Sequence, residues 1–268
     1  MIWKYIAIAV LATPWLANAN SGASNDAGIA SAPERVVLLH GLGRHATSMS
    51  RMAKKLERAG FEVCNVDYAS FASSIEELAR TEVLPAIDKC WAERPARIHF
   101  VTHSLGGILV RQLVADGTLT GVGRVVMLGP PNQGSELADR LGAWKIPPML
   151  HPPAAAQLTT ADGALPRRLG AAPFELGVIA GDRSVNPFLS LLIPGPDDGK
   201  VSVAASKVDG MTDFVLIHTS HTFMMNRDAV IAQTVCFLRN GAFADDAASL
   251  APCMTTRGSL HCASPTNR

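Results

Sequence analysis

Apolar runs and helix-like patterns alternate along most of the chain. The apolar runs predict β-strands at residues 35–39, 61–68, 97–102, 124–128, 174–180 and 213–218. Between them, apolar residues recur with helical spacing at 46–59, at 74–91, at 104–115 and in a final helix that ends near Asn240, before Gly241. Because nearly continuous apolar strands separated by helices are typical of a parallel sheet covered on both faces, the pattern predicts an α/β fold with about six mostly parallel strands.

One stretch interrupts this alternation. Residues 135–172 show little periodicity and are rich in proline, with Pro147, Pro148, Pro152, Pro153 and Pro166. This predicts a small lid-like insertion, or cap, over one sheet edge rather than a second domain. Within the helix at 74–91, Ser73 and Glu76 have the spacing of a capping box, and Pro85 predicts a kink.

The first residues are typical of an export signal. Lys4 supplies a positive charge, residues 5–16 are mainly apolar, and Ala17-Asn18-Ala19 offers a small-x-small cleavage motif. An uncleaved membrane anchor is the alternative, but the apolar stretch contains Pro14 and is shorter than the roughly 20 residues that a span needs. The sequence therefore predicts a periplasmic or secreted protein, with a signal peptide at 1–19 and a flexible leader at 20–33.

Composition and charge exclude several classes of protein. The chain has 24 Lys and Arg against 23 Asp and Glu, and it contains no basic run, so nothing indicates nucleic acid as a partner. Its 22 Gly and 17 Pro are dispersed among abundant Val, Leu and Ile, which is unlike a disordered or fibrous protein. The expectation is a globular protein that acts as a monomer.

The predicted export implies an oxidising compartment. The mature chain keeps five cysteines, and this odd number leaves at least one of them unpaired in a monomer. They are Cys64, Cys90, Cys236, Cys253 and Cys262. Cys253 and Cys262 bracket a short polar segment of the tail at 242–268 and are expected to form a disulfide. Cys64 and Cys236 are expected to be buried as small hydrophobic side chains. No cysteine or histidine spacing typical of zinc occurs, so no structural metal is expected.

The strongest chemical signal is a serine between a predicted strand and a predicted helix. Residues 101–107 read Val-Thr-His-Ser-Leu-Gly-Gly, which is the G-x-S-x-G nucleophile turn with Thr102 in place of the first glycine. Such a tight turn needs small residues two positions before and after the serine, and Gly106 satisfies the second. A helix that starts at Ser104 would aim its N-terminal amides at a developing oxyanion.

A second signal is the glycine-rich turn His-Gly-Leu-Gly-Arg at 40–44, directly after the first strand. Such a turn can point a backbone N–H group at a substrate carbonyl. An ordinary strand-to-helix turn is the alternative. A phosphate-binding loop is not, because neither a third glycine nor Gly-Lys-Ser/Thr follows at the required spacing.

These segments resemble the serine lipases and esterases of the α/β-hydrolase fold, and the bacterial true lipases especially. The resemblance covers roughly residues 34–241 and also rests on Gly129-Pro-Pro-Asn-Gln-Gly-Ser135, Pro196-Asp-Asp-Gly-Lys-Val201 and His221-Thr-Phe-Met. It implies an α/β-hydrolase domain with a Ser104 nucleophile, an Asp198 acid, a His221 base and an oxyanion hole formed by the amides of Leu42 and Leu105. We predict no cofactor or metal, and we predict substrate contacts by His40, Gly41 and His103. For His103, packing against the turn or orienting it is the alternative role.

The predicted topology gives an independent reason to group these residues. Ligands of an open parallel sheet bind outside the carboxyl ends of its strands. Leu42, Ser104, Asp198 and His221 each lie beyond such an end, so we expect them at one edge of the sheet. The predicted function is therefore an exported hydrolase of small-molecule or lipid carboxylic esters, with transient contact to a lipid surface.

Several alternatives remain open at the level of sequence. An acyltransferase would use the same triad, and a non-catalytic binding or folding helper would use the same scaffold. Asp197 could replace Asp198, and His218 could replace His221, although His218 is expected to be buried at the end of the last strand. Arg44 and His45 could line the mouth of the site or belong to a solvated loop, and Asn132, Gln133 and Ser135 could shape the pocket or simply form a turn. The apolar segment 186–193 could line an acyl site, meet a lipid surface or pack against the core. Asp182, Asp209 and Asp213 have a spacing that fits no calcium loop, so solvated carboxylates are the expectation.

Overall fold

The computed structural model describes residues 33–143 and 152–254. The predicted signal peptide, nearly all of the leader and Cys262 lie outside these residues. Within them, no helix is both long and apolar enough to cross a membrane.

The core of the fold is a six-stranded sheet whose strands are all parallel, in the order β2-β1-β3-β4-β5-β6. The strands are β1 Arg35–Leu39, β2 Glu62–Val66, β3 Ile98–His103, β4 Val122–Leu128, β5 Leu176–Gly181 and β6 Asp213–Ile217. The predicted α/β sheet is thereby confirmed. The strand order reverses between β1 and β3, and this is the crevice in which open α/β sheets bind their ligands.

Helices cover both faces of this sheet, as predicted. They are α1 Ser50–Arg58, α2 Ile75–Glu77, α3 Leu84–Asp88, α4 Leu105–Ala115, α5 Glu136–Ala143, α6 Pro153–Ala156, α7 Leu165–Arg168, α8 Pro187–Ser190, α9 Val203–Ser206, α10 Asp228–Asn240 and α11 Ala247–Met254. Successive β1 side chains alternate between the two faces. Val37 and Leu39 join the core under α4, whereas Val36 and Leu38 join the core under α1 and α10.

The helix predicted at 74–91 is interrupted rather than simply kinked. A π-helical stretch, Leu78–Val83, joins α2 to α3 and ends just before Pro85. A proline has no backbone N–H to donate to the preceding turn, so a wider turn at this point is a local solution to the missing bond. The predicted cap at Ser73 is wrong by one residue, because the Ser74 hydroxyl accepts the hydrogen bond from the Glu77 amide.

The predicted cysteine pairing is wrong. Cys253 is bonded to Cys236, which joins α11 to α10, and Cys64 of β2 is bonded to Cys90, which follows α3. Cys64 and Cys236 are therefore not free hydrophobic side chains. Each disulfide joins elements that pack against each other in the fold. The prediction of Cys253 with Cys262 rested on their spacing in the sequence, which does not show which elements pack together.

A buried arginine ties the 135–172 segment to the core. The Arg111 guanidinium of α4 donates to the backbone oxygens of Asn132, Pro166 and Gly170, at 3.2, 2.9 and 2.6 Å, and to the Asn132 side-chain oxygen. Desolvation lowers its pKa to about 10, so it remains charged at neutral pH. Arg111 thus supports both the loop after β4 and the segment around α7.

We expect Arg111→Met to lower the free energy of unfolding by about 3 kcal/mol, because it leaves several buried carbonyl oxygens without a donor. Thermal and denaturant unfolding measure the loss. Arg58→Met, on the exposed side of α1, is the matched control and should change the stability by less than about 0.5 kcal/mol. Equal stability of the two variants would contradict the role assigned to Arg111.

Candidate active site

Ser104 occupies a strained turn between β3 and α4. Its φ and ψ are 53° and −120°, and it is the one non-glycine residue with a positive φ among residues 33–143 and 152–254. Such a conformation costs on the order of 1–3 kcal/mol and persists only where the surroundings enforce it. A Cβ atom at Gly106 would lie 2.8 Å from the Leu39 carbonyl oxygen, which explains the need for a small residue there.

Thr102 replaces the first small residue of this motif without disrupting the turn. Its side chain is fully buried in β3. A Cβ atom at Gly107 would lie 3.2 Å from the Thr102 hydroxyl oxygen and 2.9 Å from the Met127 sulfur. Because Gly107 has no side chain, there is room beside it for the side chain of Thr102.

A buried carboxylate–imidazole pair lies at the carboxyl edge of the same sheet. Asp198 Oδ2 and His221 Nδ1 are 2.7 Å apart, and both residues are almost fully buried. The other Asp198 oxygen accepts hydrogen bonds from the amides of Lys200 and Val201, and the His221 amide donates to the Asp198 carbonyl oxygen at 2.9 Å. A ring that donates from Nδ1 to the carboxylate has Nε2 left as its acceptor, which is the tautomer a general base needs.

The neighbouring carboxylate of Asp197 is bound elsewhere. Its Oδ1 accepts the Gly199 amide at 2.7 Å, and its Oδ2 accepts the Ser190 hydroxyl. Both aspartates are buried, but only Asp198 is hydrogen-bonded to His221. Asp197 instead braces the loop that carries Asp198.

Gly129, directly after β4, leaves the space for the Asp198–His221 pair. Its φ is 54°, and a Cβ atom there would lie 2.9 Å from Asp198 Oδ2 and 3.0 Å from His221 Nδ1. No role for Gly129 itself was predicted from the sequence. The available signal was a glycine at the carboxyl end of a central strand, where functional side chains converge.

The two proposed oxyanion-hole residues flank the switch point of the sheet. Leu42 follows β1, and Leu105 is the first residue of α4. Two contacts fix the Leu42 turn: the Gly43 amide donates to the Ser70 hydroxyl at 2.9 Å, and the Tyr68 hydroxyl donates to the His40 carbonyl oxygen at 2.5 Å. Such a fixed turn holds the Leu42 amide in one direction.

His40 and His103 are both buried neutral histidines with structural contacts. The His40 ring stacks on Tyr68 with centroids 4.0 Å apart, and burial lowers its pKa. His103 Nε2 donates to the His221 carbonyl oxygen at 3.0 Å, and burial, followed by the charge of His221, lowers the His103 pKa well below its ordinary value. His103 therefore holds the loop that carries His221.

A cavity of about 210 Å³ opens at this edge and reaches Ser104, His103, His221 and Leu42. Its wall is mainly apolar and is completed by Arg44, Phe71, Pro131, Ser135, Leu137, Ala138, Ala155, Leu158, Lys200 and Val201. Neither His40 nor Gly41 is among the described residues that line it. Leu137, Ala138, Ala155 and Leu158 of this wall were not predicted from the sequence, because the 135–172 segment that contains them has little periodicity.

The structure also places the residues whose roles were left open. Arg44 lines this cavity, while His45 lines an adjacent one with Arg44 and Phe71. Of Asn132, Gln133 and Ser135, only Ser135 lines the cavity that reaches Ser104. Phe188 and Leu191 of the apolar segment point into solvent, with 78% and 83% of their surfaces exposed.

His218 differs from its expected position. It lies just beyond β6, its side chain is largely exposed, and its Nδ1 is 2.8 Å from Asp182 Oδ1. The expectation that it is buried at the end of the strand is therefore wrong. Asp213 accepts the amides of Phe214 and Phe243, and no group of three potential metal ligands occurs among the described residues.

Solved structures share this fold at low sequence identity. The Bacillus licheniformis lipase BlEst2 in its propeptide form has a TM-score of 0.62 and 20% identity over 81% of this chain and 52% of that chain. This chain thus spans about half the length of that form. The metagenomic carboxyl esterase MGS0156 has a TM-score of 0.53 and 23% identity, over 72% of this chain and 66% of that chain. The phospholipase PlaB from Legionella pneumophila has a TM-score of 0.56 and 16% identity, over 83% of this chain and 62% of that chain.

The sequence comparison agrees with the architecture. Comparison with curated proteins gave no significant match. A sequence model of the alpha/beta hydrolase family matches residues 36–234, which run from β1 into α10 and contain the Ser104 turn and the Asp198–His221 pair. The predicted α/β-hydrolase fold is thereby confirmed, and the chain belongs to the alpha/beta hydrolase family.

Proposed function

We propose that this protein is an exported serine hydrolase that cleaves carboxylic esters through a Ser104–His221–Asp198 triad. The observation that carries the proposal is the buried 2.7 Å contact of Asp198 with His221, beside the cavity that His221 and the strained Ser104 both line. A structural turn has no need to combine these features. The named neighbours, a lipase, a carboxyl esterase and a phospholipase, support ester chemistry by their fold.

The mechanism follows from the chemistry of these side chains. His221 Nε2 removes the hydroxyl proton of Ser104 while the Ser104 oxygen attacks the ester carbonyl carbon. Asp198 fixes the imidazole tautomer and stabilises the imidazolium that forms. The amides of Leu42 and Leu105 stabilise the oxyanion. His221 then gives its proton to the leaving alcohol, and water activated by the same imidazole hydrolyses the acyl-enzyme.

The cavity wall supports an apolar acyl group as the part of the substrate that binds beside Ser104. Leu137 and Leu158 are buried with their side chains at the wall, next to Ala138 and Ala155. Burying a hydrocarbon chain against such a wall stabilises the complex by roughly 25 cal/mol per Å² of apolar area. We take the domain to span 34–241, acting as a monomer.

Export is supported by the cysteines as well as by the predicted signal at 1–19. The two disulfides, Cys64–Cys90 and Cys236–Cys253, are of a kind that forms and persists in oxidising compartments. The exposed side chains of Phe188 and Leu191 offer a surface for transient lipid contact.

Two measurements test the proposed activity. A fluorophosphonate probe should label the wild-type protein at Ser104, which peptide mapping identifies. A series of p-nitrophenyl esters of increasing chain length should be hydrolysed and should define the acyl preference. Absence of both labelling and turnover in the folded protein would contradict the proposal.

We expect Asp198→Asn to lower kcat by about ten-thousand-fold, because an amide stabilises the wrong imidazole tautomer and cannot balance the imidazolium charge. Asp197→Asn is the matched control. It changes an equally buried neighbour that contacts Ser190 and the Gly199 amide, so its effect on kcat should be far smaller. Steady-state kinetics compare the two, and a larger loss at position 197 would refute Asp198 as the acid.

A further inference from the structure

Two cations, Arg44 and Lys200, line the cavity that reaches Ser104, and no carboxylate is among the described residues that line it with them. Arg44 lies two residues after Leu42, on the turn that follows β1. Lys200 lies two residues after Asp198, on the loop that carries the proposed acid. The cations thus approach the reacting centre from two different loops.

Hydrogen bonds hold Arg44 and Lys200 in place on their loops. The Arg44 guanidinium donates to the Thr222 carbonyl oxygen at 3.0 Å, next to His221, and its amide is bonded to the Gly41 carbonyl oxygen. The Lys200 amide donates to Asp198 Oδ1, and its carbonyl oxygen accepts the Ser135 hydroxyl at 2.8 Å. These contacts hold the Lys200 backbone and one end of the Arg44 guanidinium, and they leave the Lys200 ammonium and the rest of the Arg44 guanidinium available to a ligand.

Neither cation has a carboxylate partner within ion-pair distance in the described part of the chain, and their charges act on one another. Desolvation at the cavity, followed by the charge of Arg44, lowers the pKa of Lys200, whereas Asp198 acts in the opposite direction. Both cations also contribute to the lowered pKa of His103. Two cations that repel each other beside a cavity would be stabilised by an anion placed between them.

The cavity wall suggests which part of the ester carries that anion. Leu137 and Leu158 are almost fully buried, whereas Arg44 and Lys200 line the cavity but keep part of their surface in contact with solvent. An acyl chain therefore matches the inner wall, and the alcohol portion of the ester faces the outer side, where the cations lie.

On the basis of the proposed ester hydrolysis, we propose that the preferred substrates carry an anionic group, a carboxylate or a phosphate, on the alcohol portion of the ester. Arg44 and Lys200 bind this group while Ser104 attacks the carbonyl carbon. Cations in a cavity that is otherwise apolar attract such substrates from solution and orient them.

Matched pairs of esters test this inference. The carboxylate arm compares the butyryl ester of 4-hydroxybenzoate with that of the neutral 4-hydroxybenzamide. The phosphate arm compares 1-butyrylglycerol 3-phosphate with 1-butyrylglycerol. A third pair, mono-4-nitrophenyl glutarate and 4-nitrophenyl pentanoate, places the charge on the acyl side. The readout is the ratio of kcat/KM for the anionic ester to that for its neutral partner.

We expect Arg44→Gln and Lys200→Gln each to lower this ratio by about tenfold in at least one of the first two arms, which corresponds to the loss of one charge-assisted contact. Comparing variants on one pair cancels the intrinsic difference in reactivity between the two esters. Arg44→Lys should restore part of the ratio. Lys54→Gln, an exposed cation of α1, is the control and should leave it unchanged. Added salt should lower the wild-type ratio.

The results separate this inference from the proposed function. Turnover of neutral esters with a ratio that neither neutralisation changes would overturn the anion site alone. A charge response confined to the acyl-side pair would overturn its placement on the alcohol portion. No turnover of any ester, together with no probe labelling, would overturn the proposed function itself. Melting curves of each variant verify that loss of folding does not produce the change.

Discussion

Replacing Ser104 by Ala is expected to abolish ester turnover, with kcat lowered by about a million-fold. The substitution removes the only atom that can form the acyl-enzyme in the proposed mechanism, and the remaining oxyanion-hole contacts cannot replace a nucleophile. The cavity, the Asp198–His221 pair and the backbone of the turn should persist. Alanine meets the same steric demands as serine at φ 53°, so the stability should change little.

The measurements for this variant are ester turnover, fluorophosphonate labelling and thermal unfolding. The matched control is Ser135→Ala, which removes another hydroxyl from the cavity wall, bonded to the Lys200 carbonyl oxygen. It should lower turnover by about tenfold at most, the effect of one neutral hydrogen bond. A folded Ser104→Ala protein that keeps near-wild-type turnover would refute the triad.

The central strands were predictable because they are buried on both faces, whereas the edge strands β2 and β6 are mostly half-buried. Residues 35–39 read as a nearly unbroken apolar run and form β1, and the apolar Ile98, Phe100 and Val101 mark the greater part of β3. The nucleophile turn was predictable for a related reason, since Ser104 lies where such a run gives way to a helical pattern. Both signals are local, so no knowledge of distant contacts was needed.

The disulfides and the cavity wall depend on contacts between residues that are distant in sequence. Cys236 meets Cys253 because α11 packs against α10, and Cys64 of β2 meets Cys90 because α3, which Cys90 follows, packs beside β2. Spacing alone gave the wrong pair. Leu158 likewise lines the cavity through a contact between residues far apart in sequence, since its carbonyl oxygen accepts the Ser135 amide at 2.8 Å, and no periodic pattern encodes such a contact.

The positions of His218 and His221 were predicted correctly only in part. From the sequence, His218 was expected to be buried at the end of the last strand and was therefore not chosen as the base. The structure instead leaves it in solvent, because β6 ends at Ile217 and the ring pairs with Asp182. His221 lies beyond Thr219 and Ser220, where it is buried. Its ring is hydrogen-bonded to Asp198, and its carbonyl oxygen accepts a hydrogen bond from the His103 ring.

Exchanging His221 for Ala should therefore lower kcat by on the order of a million-fold, as expected when a triad loses its base, while the protein remains folded. His218→Ala is the matched control, three positions away. It removes an exposed ion pair with Asp182, a type of contact worth about 1 kcal/mol or less, so turnover should stay within about tenfold of wild type. Turnover and probe labelling of the two variants, with melting curves, decide between them. If His218→Ala is the inactive variant, the proton is removed from Ser104 by the exposed histidine, and the buried pair of His221 with Asp198 has a structural role instead.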